Sequence, residues 1–169
     1  MRVGPAVFIF AAFIAAPARA QEATAPAPCT SPEHRGFDFW LGEWEVYRPD
    51  GEQAGTNRLT SIYGACAIRE EWQGAGTHAG TSLNFYDAAT GRWHQTWVDN
   101  GGQPLRLTGG LDEGGAMVLS SPAGESPLHR ITWTPQEDGS VRQFWEVSKD
   151  GGGTWSVAFD GRYVKAADE

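Results

Sequence analysis

Three carboxylates lie one or two residues from a tryptophan on segments that we interpret as β-strands. They are Glu70 beside Trp72, Asp99 beside Trp97, and Glu146 beside Trp145. Acid–base cleavage of a sugar requires two inward carboxylates about 5 to 10 Å apart, one of them with a raised pKa. Acidic residues at alternate strand positions are equally typical of a solvated face, and the sequence does not fix their mutual distances. We therefore assign no catalytic residue.

The hairpin of residues 79–99 contains the best candidates for ligand binding. Placing Asp87 opposite Arg92 across the turn AATG gives one face with the pairs Tyr86–Trp93, Asn84–Gln95 and Ser82–Trp97. The other face then has Phe85–His94, Leu83–Thr96 and Thr81–Val98. Neither face is typical of one in bulk solvent. Amides and aromatic rings together suit a cavity, so we favour the Asn84 face as the inner one.

Four of the eight tryptophans are explained as core residues, namely Trp40, Trp44, Trp133 and Trp155. The others have polar neighbours. Arg142 could anchor an anionic head group if it points inward, and an outward position paired with an acid is equally open. The predicted ligand-binding residues are Glu70, Trp72, Asn84, Tyr86, Gln95, Trp97, Asp99, Arg142 and Trp145.

Other chemistries lack their motifs. The chain has no G-x-S-x-G sequence, and its glycine pairs lie in turns without the following helix that a phosphate loop needs. The histidines, His34, His78, His94 and His129, are scattered without the paired spacing of metal ligands. We therefore predict no metal and no cofactor.

The N-terminus predicts export. Arg2 precedes an apolar run that ends at Ala18-Arg19-Ala20, which is typical of a signal peptide cleaved after Ala20. The run is shorter than the ~20 residues of a membrane span, and none follows it. We expect a signal peptide at 1–20, a Pro/Ala-rich extended leader at 21–36, one domain at 37–165 and a tail at 166–169, located in the periplasm or secreted.

Charge and cysteine content restrict the partners and the compartment. Cleavage would remove two arginines and no acid, leaving 11 basic and 21 acidic residues and a net charge of −10. Such a charge repels nucleic acids and anionic membranes, so neither is expected as a partner, whereas a small molecule is. Cys29 and Cys66 are predicted to pair in an oxidising compartment, with two buried thiols as the alternative.

The strand pattern predicts an all-β fold. Short apolar runs bounded by Gly, Pro, Asn or Asp recur from Phe37 onward, without helical periodicity. The candidates are 39–48, 56–64, 66–73, 79–87, 91–99, 104–109, 115–121, 128–134, 140–148 and 154–164. Short connections make neighbours antiparallel, and closure of the meander would remove exposed edges. We expect a lipocalin-like barrel of about ten strands, with a two-sheet sandwich as the alternative.

Four segments carry a resemblance: FDFWLGEWEV (37–46), YGACAIREEW (63–72), GTSLNFYDAATGRWHQTWVDNGG (80–102) and RITWTPQEDGSVRQFWE (130–146). Together they resemble a family of small exported bacterial proteins with no assigned reaction. The opening Gly42-Glu43-Trp44 is similar to the first strand of lipocalin-like and nitrobindin-like barrels. The resemblance implies eight to ten strands around a central pocket. Nitrobindin-like barrels bind haem iron through a late histidine, and this chain has none after His129.

A second local pattern lies near the C-terminus. Ser148, Asp150, Gly152, Thr154 and Trp155 fit S-x-D-x-G-x-T-W, which resembles the Asp-box of sialidases. That motif is a structural hairpin brace, in which the aspartate accepts hydrogen bonds within the turn. With a single copy and no internal repeat, we interpret it as a rigid β-turn and not as evidence for a sialidase.

Three functional hypotheses follow. The first is a noncatalytic barrel that encloses a small, partly apolar ligand. The second is a carboxylate-dependent enzyme acting on a saccharide or a similar polar molecule. The third is an interaction module of the cell envelope, which would be recognised by an outward apolar patch and no cavity.

Overall fold

A computed structural model describes Met1 and residues 28–167. The predicted signal peptide, residues 21–27 of the leader and residues 168–169 of the tail lie outside the described residues, so export and cleavage stay predictions. Within residues 28–167, no helix combines the length and the apolar character that crossing a bilayer requires.

The described chain forms ten antiparallel strands in sequence order, and β1 pairs with β10 to close a barrel. The strands are β1 Gly42–Tyr47, β2 Gln53–Ile62, β3 Ala67–Gly74, β4 Ala79–Asp87, β5 Arg92–Asp99, β6 Leu105–Leu111, β7 Met117–Ser120, β8 Leu128–Pro135, β9 Val141–Ser148 and β10 Ser156–Lys165. The predicted all-β meander and its closure are confirmed, and the two-sheet alternative is wrong.

The β4–β5 hairpin has the predicted register, with Asp87 opposite Arg92 and Asn84 opposite Gln95. Asn84 and Gln95 are buried, whereas Leu83 on the opposite face is exposed. The Asn84 face therefore points into the barrel. The alternation holds because side chains on a strand point to opposite faces in turn, so one correct pairing fixes the whole hairpin.

One end of the barrel is closed by the segment before β1. Two short 3-10 helices, Pro32–Arg35 and Asp38–Trp40, precede the first strand. Phe37 and Trp40 have no exposed surface; their rings stack at 4.8 Å, and Phe37 also meets the ring of Trp133 edge-on at 5.2 Å. We call this the sealed end. Residues 39–41, which were predicted to begin the first strand, belong to this cover because burying Trp40 requires the chain to turn inward.

The sealed end is anchored to the wall by covalent and polar contacts. Cys29 and Cys66 form the predicted disulfide, which links the segment before the helices to the turn between β2 and β3. Arg35 donates to the carbonyl oxygen of Ala65 at 2.5 Å, and the indole of Trp93 donates to the carbonyl oxygen of Glu33 at 3.1 Å. The described part of the expected extended leader, from residue 28, is therefore packed against the barrel.

The opposite end carries the connections β1–β2, β3–β4, β5–β6, β7–β8 and β9–β10, and we call it the open end. The last of these is the predicted rigid turn. Asp150 accepts hydrogen bonds from the backbone and hydroxyl of Thr154 at 2.8 and 2.7 Å and from Ser148 at 2.7 Å. The indole of Trp155 donates to the carbonyl oxygen of Gly152 at 3.1 Å. These bonds hold the pKa of Asp150 well below its usual value.

Candidate functional site

A cavity of about 420 Å³ enters the barrel from the open end. Four rings surround its upper part, and we call them the aromatic wall: Trp72, Trp97, Trp145 and Phe159. Deeper in the barrel lie four polar residues, which we call the polar floor: Glu70, Gln95, Gln143 and Tyr163. The ring of Trp133, opposite Gln143, lines the cavity beside them. The order follows from strand geometry, because Glu70, Gln95 and Gln143 each lie on the same strand face as a wall tryptophan, two residues nearer the sealed end.

Two glycines make room for the aromatic wall. A Cβ at Gly80 would overlap the six-membered ring of Trp97, and a Cβ at Gly161 would overlap the ring of Phe159. Each ring therefore occupies the position that a side chain at the glycine would take.

Glu70 is the acid of the polar floor, with 5% of its surface exposed. Its Oε1 accepts a hydrogen bond from the Asn57 amide at 2.7 Å, and its Oε2 accepts one from the Ser82 hydroxyl at 2.5 Å. Asn57 and Ser82 can reach it because β2 and β4 pair with β3 on either side. Both carboxylate oxygens thus already have one donor from the protein.

The hydrogen bonds continue from Ser82 along the floor in one direction. The Asn84 amide donates to the Ser82 hydroxyl oxygen at 2.8 Å, and the Gln95 amide donates to Asn84 Oδ1 at 2.8 Å. The Ser82 hydroxyl, which accepts from Asn84, donates to Glu70. The chain from Gln95 through Asn84 and Ser82 therefore ends on the Glu70 carboxylate as acceptor.

Burial and hydrogen bonding act in opposite directions on Glu70. Desolvation is the larger effect and raises its pKa to about 7, while the donors Ser82 and Asn57 lower it. Across the lumen, burial raises the pKa of Tyr163 well above its usual value, and the charge of Glu70 adds to the effect. The Tyr163 hydroxyl donates to Gln143 Oε1. Glu70 therefore gains or loses its proton near neutral pH, while Tyr163 stays protonated.

Five of the nine predicted binding residues line the cavity together: Glu70, Trp72, Gln95, Trp97 and Trp145. Asn84 is fully buried behind them and contributes through its hydrogen bonds to Ser82 and Gln95. Sequence reasoning brought these residues together because most of them lie on one hairpin face or on a strand next to it.

The other three predicted residues lie elsewhere. Tyr86 lies toward the sealed end, with its ring 5.0 Å from that of His34. Arg142 is on the outer wall, where it donates to both oxygens of Asp160 at 2.9 and 2.8 Å. Asp99 stands outside the lining, hydrogen-bonded to His78 at 3.1 Å. Alternation separates Arg142 from Gln143, since adjacent strand residues face opposite sides.

Asn57, Ser82, Gln143, Phe159 and Tyr163 belong to the site and were not among the predicted binding residues. Ser82 had a usable signal, because the hairpin register already placed it opposite Trp97 on the inner face. Asn57 lies between the polar residues Thr56 and Arg58, and Gln143 follows the polar Arg142, so polarity alone does not show which of these residues faces inward. Their orientation toward the lumen is shown only by the pairing of their strands with strands whose inward-facing residues are known.

The candidate carboxylates for sugar cleavage are not gathered in the cavity. Among the described residues, Glu70 is the one acid in the cavity lining. Glu146 accepts from the Arg130 guanidinium at 3.1 and 2.9 Å, and it lies on the opposite strand face from Trp145. Of the two carboxylates that this mechanism of sugar cleavage requires, the cavity therefore contains one.

The histidines have individual partners. The indole of Trp145 donates to His129 Nδ1 at 3.0 Å, and His34 hydrogen-bonds Ser31 at 2.9 Å. Within the described part of the chain, no three His, Cys, Asp or Glu residues are grouped as metal ligands would be.

Comparison with known proteins adds no family to this geometry: no family model matches the chain, and no curated protein matches it significantly. The structure therefore supports only the architecture that the resemblance implies, which is a closed antiparallel barrel, here of ten strands, with an internal pocket.

Proposed function

We propose that this protein is an exported, lipocalin-like binding barrel that holds a small, partly apolar molecule in the cavity of its open end. The observation that carries the proposal is the composition of the cavity, in which four aromatic rings stand above a hydrogen-bonded polar floor. Ligand sites are concave and mostly apolar, with a few placed polar groups that set orientation. A volume of about 420 Å³ is within the range of such sites.

Two further observations support export and binding. The disulfide Cys29–Cys66 suits an oxidising compartment such as the periplasm or the extracellular space. The sealed end closes the barrel with buried rings, so a ligand would enter from one side only. A closed wall with one opening protects an apolar ligand from water without a moving lid.

The uncharged dye N-phenyl-1-naphthylamine tests the proposal, because its fluorescence rises on entering an apolar site. We expect saturable binding of one dye per protein at micromolar concentration. Trp97→Ala removes a wall ring and should weaken binding about tenfold or more, corresponding to about 1.4 kcal/mol. Trp155→Ala is the matched control, since Trp155 is at the same end but outside the cavity lining.

No dye binding, or equal weakening by Trp97→Ala and Trp155→Ala, would overturn the proposal. Mass spectrometry of small molecules retained through native purification then identifies the natural ligand. Asn84→Ala gives a second check, because it interrupts the hydrogen bonds beneath the cavity without removing a lining group.

A second candidate function has one observation in its favour. Glu70, with a pKa raised to about 7 in an accessible cavity, could transfer a proton near neutral pH. An enzyme of this kind would use Glu70 alone, since no second described acid lines the cavity. Loss of turnover in Glu70→Gln with unchanged dye binding would favour catalysis over simple binding.

A further inference from the structure

We infer that the cavity selects small organic cations, in which a protonated amine pairs with the Glu70 carboxylate and the apolar part packs against the aromatic wall. The inference rests on the proposed binding function and names its ligand class. It comes from the hydrogen bonds around Glu70, from the ion pairs of the described residues, and from the rings above it.

The protein gives the Glu70 carboxylate two hydrogen-bond donors, although burial outweighs them and raises its pKa. Asn57 and Ser82 both donate to it, one to each oxygen, and the Ser82 oxygen also accepts from Asn84. Ionised Glu70 can accept at both oxygens in this way, and it keeps further lone pairs for a donor on a ligand.

No protein cation neutralises this charge. Among residues 28–167, the ion pairs within 4.0 Å do not include Glu70. Buried carboxylates are normally paired, because an isolated buried charge is costly. Tyr163 faces Glu70 from β10, and burial keeps the tyrosine neutral. A ligand cation would therefore supply the positive charge that these protein residues do not.

The two other ionisable groups of the lining lie toward the open end and have partners of their own. Arg48 lies 3.5 Å from Glu52 and is 47% exposed, and His78 pairs with Asp99. Neither is a buried anchor for an anion. A carboxylate or phosphate ligand would meet the negative floor without compensation.

The aromatic wall supplies the second half of the recognition. Ring faces attract cations, and the attraction is stronger where water is excluded. Trp97 is in the same cross-strand row as Glu70 and Ser82, and Trp72 is on the strand of Glu70, two residues nearer the open end. An amine at Glu70 would thus lie beneath rings that also cover its hydrocarbon substituents. The chain's net charge of −8 adds a weak attraction for cations.

The test compares two probes of the same shape, 2-phenylethylamine, which is a cation below about pH 9, and the uncharged 2-phenylethanol. Binding is measured by calorimetry and by tryptophan fluorescence. At about pH 8 we expect the amine to bind about tenfold or more tightly than the alcohol. Because the amine binds ionised Glu70, its affinity should fall about tenfold between about pH 8 and about pH 6, while that of the alcohol should not fall.

Glu70→Gln should remove both the preference for the amine and its pH dependence. Glu146→Gln is the matched control, because it removes an acid from the outer wall and should change neither. If Glu70→Gln fails to fold, as shown by far-ultraviolet circular dichroism, the pH titration of the wild-type protein still decides the question.

The outcomes separate this inference from the function on which it rests. Equal binding of amine and alcohol, or an amine preference that survives Glu70→Gln, would overturn the cation inference and leave the binding function standing. Binding of neither probe at millimolar concentration, together with no binding of the uncharged dye, would overturn both.

Discussion

At the sealed end, Trp40 and Trp44 pack among other rings with at most 1% of their surface exposed, whereas at the open end Trp72, Trp97 and Trp145 border a cavity. The residue type is the same at both ends. What differs is the cover: the two 3-10 helices insert Phe37 and Trp40 at one end, and hairpin turns leave the other end accessible. An aromatic ring in a barrel therefore serves stability or binding according to which end is capped.

Truncation of a tryptophan at each end should give the largest contrast. Trp40→Ala leaves a void in a fully packed cluster and should lower the free energy of unfolding by about 3 to 5 kcal/mol. Trp145→Ala, at the partly exposed open end, should lower it by less than half as much and should weaken dye binding. Urea unfolding followed by circular dichroism measures both, and equal losses would contradict the assigned difference between the ends.

Removing the disulfide tests the anchoring of the sealed end. Cys29→Ser combined with Cys66→Ser should lower the free energy of unfolding by about 3 to 4 kcal/mol, because the unfolded chain is no longer constrained. Dye affinity at the open end should stay the same under conditions where the variant is folded. A folded variant that has lost dye binding would show that the two ends are not independent.

The pH dependence of stability tests Glu70. Because its pKa is raised from 4.5 to about 7, the folded protein keeps a proton that the unfolded chain releases between these values. Stability should therefore fall as the pH rises through this window, by up to about 3 kcal/mol, and stay level above it. Glu70→Gln should remove this fall.

The pKa values of Asp138 and Asp150 are lowered in the folded protein. Protonation of these two acids therefore destabilises the fold, and it does so at a lower pH than the titration of Glu70. Both acids are present in the wild-type protein and in Glu70→Gln. The difference between the pH profiles of stability of these two proteins therefore reports the contribution of Glu70. Parallel profiles between about pH 4.5 and about pH 7 would show that Glu70 is not buried as described.

Gly80→Ala should lower the free energy of unfolding by about 1 to 3 kcal/mol, because the added methyl group overlaps the Trp97 ring and the Val98 carbonyl oxygen, which must shift. It should also reduce dye binding. Gly110→Ala is the matched control in β6, since a Cβ there meets nothing within 4 Å. That substitution should be neutral or slightly stabilising. Equal effects at both positions would contradict the role of Gly80 beneath the aromatic wall.

Local patterns explain which parts of the site were predictable. The β4–β5 hairpin was placed in register because its turn is short and because an error of one residue would exchange its two faces. That register identified Gln95, Trp97 and the buried Asn84. It also placed Tyr86 on the inner face without showing that this residue lies toward the sealed end, since depth along the barrel axis is not encoded by alternation.

Contacts between distant segments were not predictable. Phe159 and Tyr163 meet the cavity from β10, which reaches β1 only through closure of the barrel. Asn57 bonds Glu70 across the β2–β3 pair, and its own strand carries polar residues on both faces. For Arg142, sequence left inward and outward positions equally open, and the pairing of β9 with β10 brings it to Asp160.

The sequence by itself determined the all-β class, the antiparallel order and the Ser148–Trp155 turn, because each depends on residue alternation, short connections or contacts within a few positions. It also determined the disulfide pair, because the chain has two cysteines. Tertiary structure alone decided which end is sealed, which tryptophans face a cavity, and that Glu70 stands there without a protein cation. Those properties arise when ten strands close and the N-terminal helices fill one opening, which brings together residues far apart in the chain.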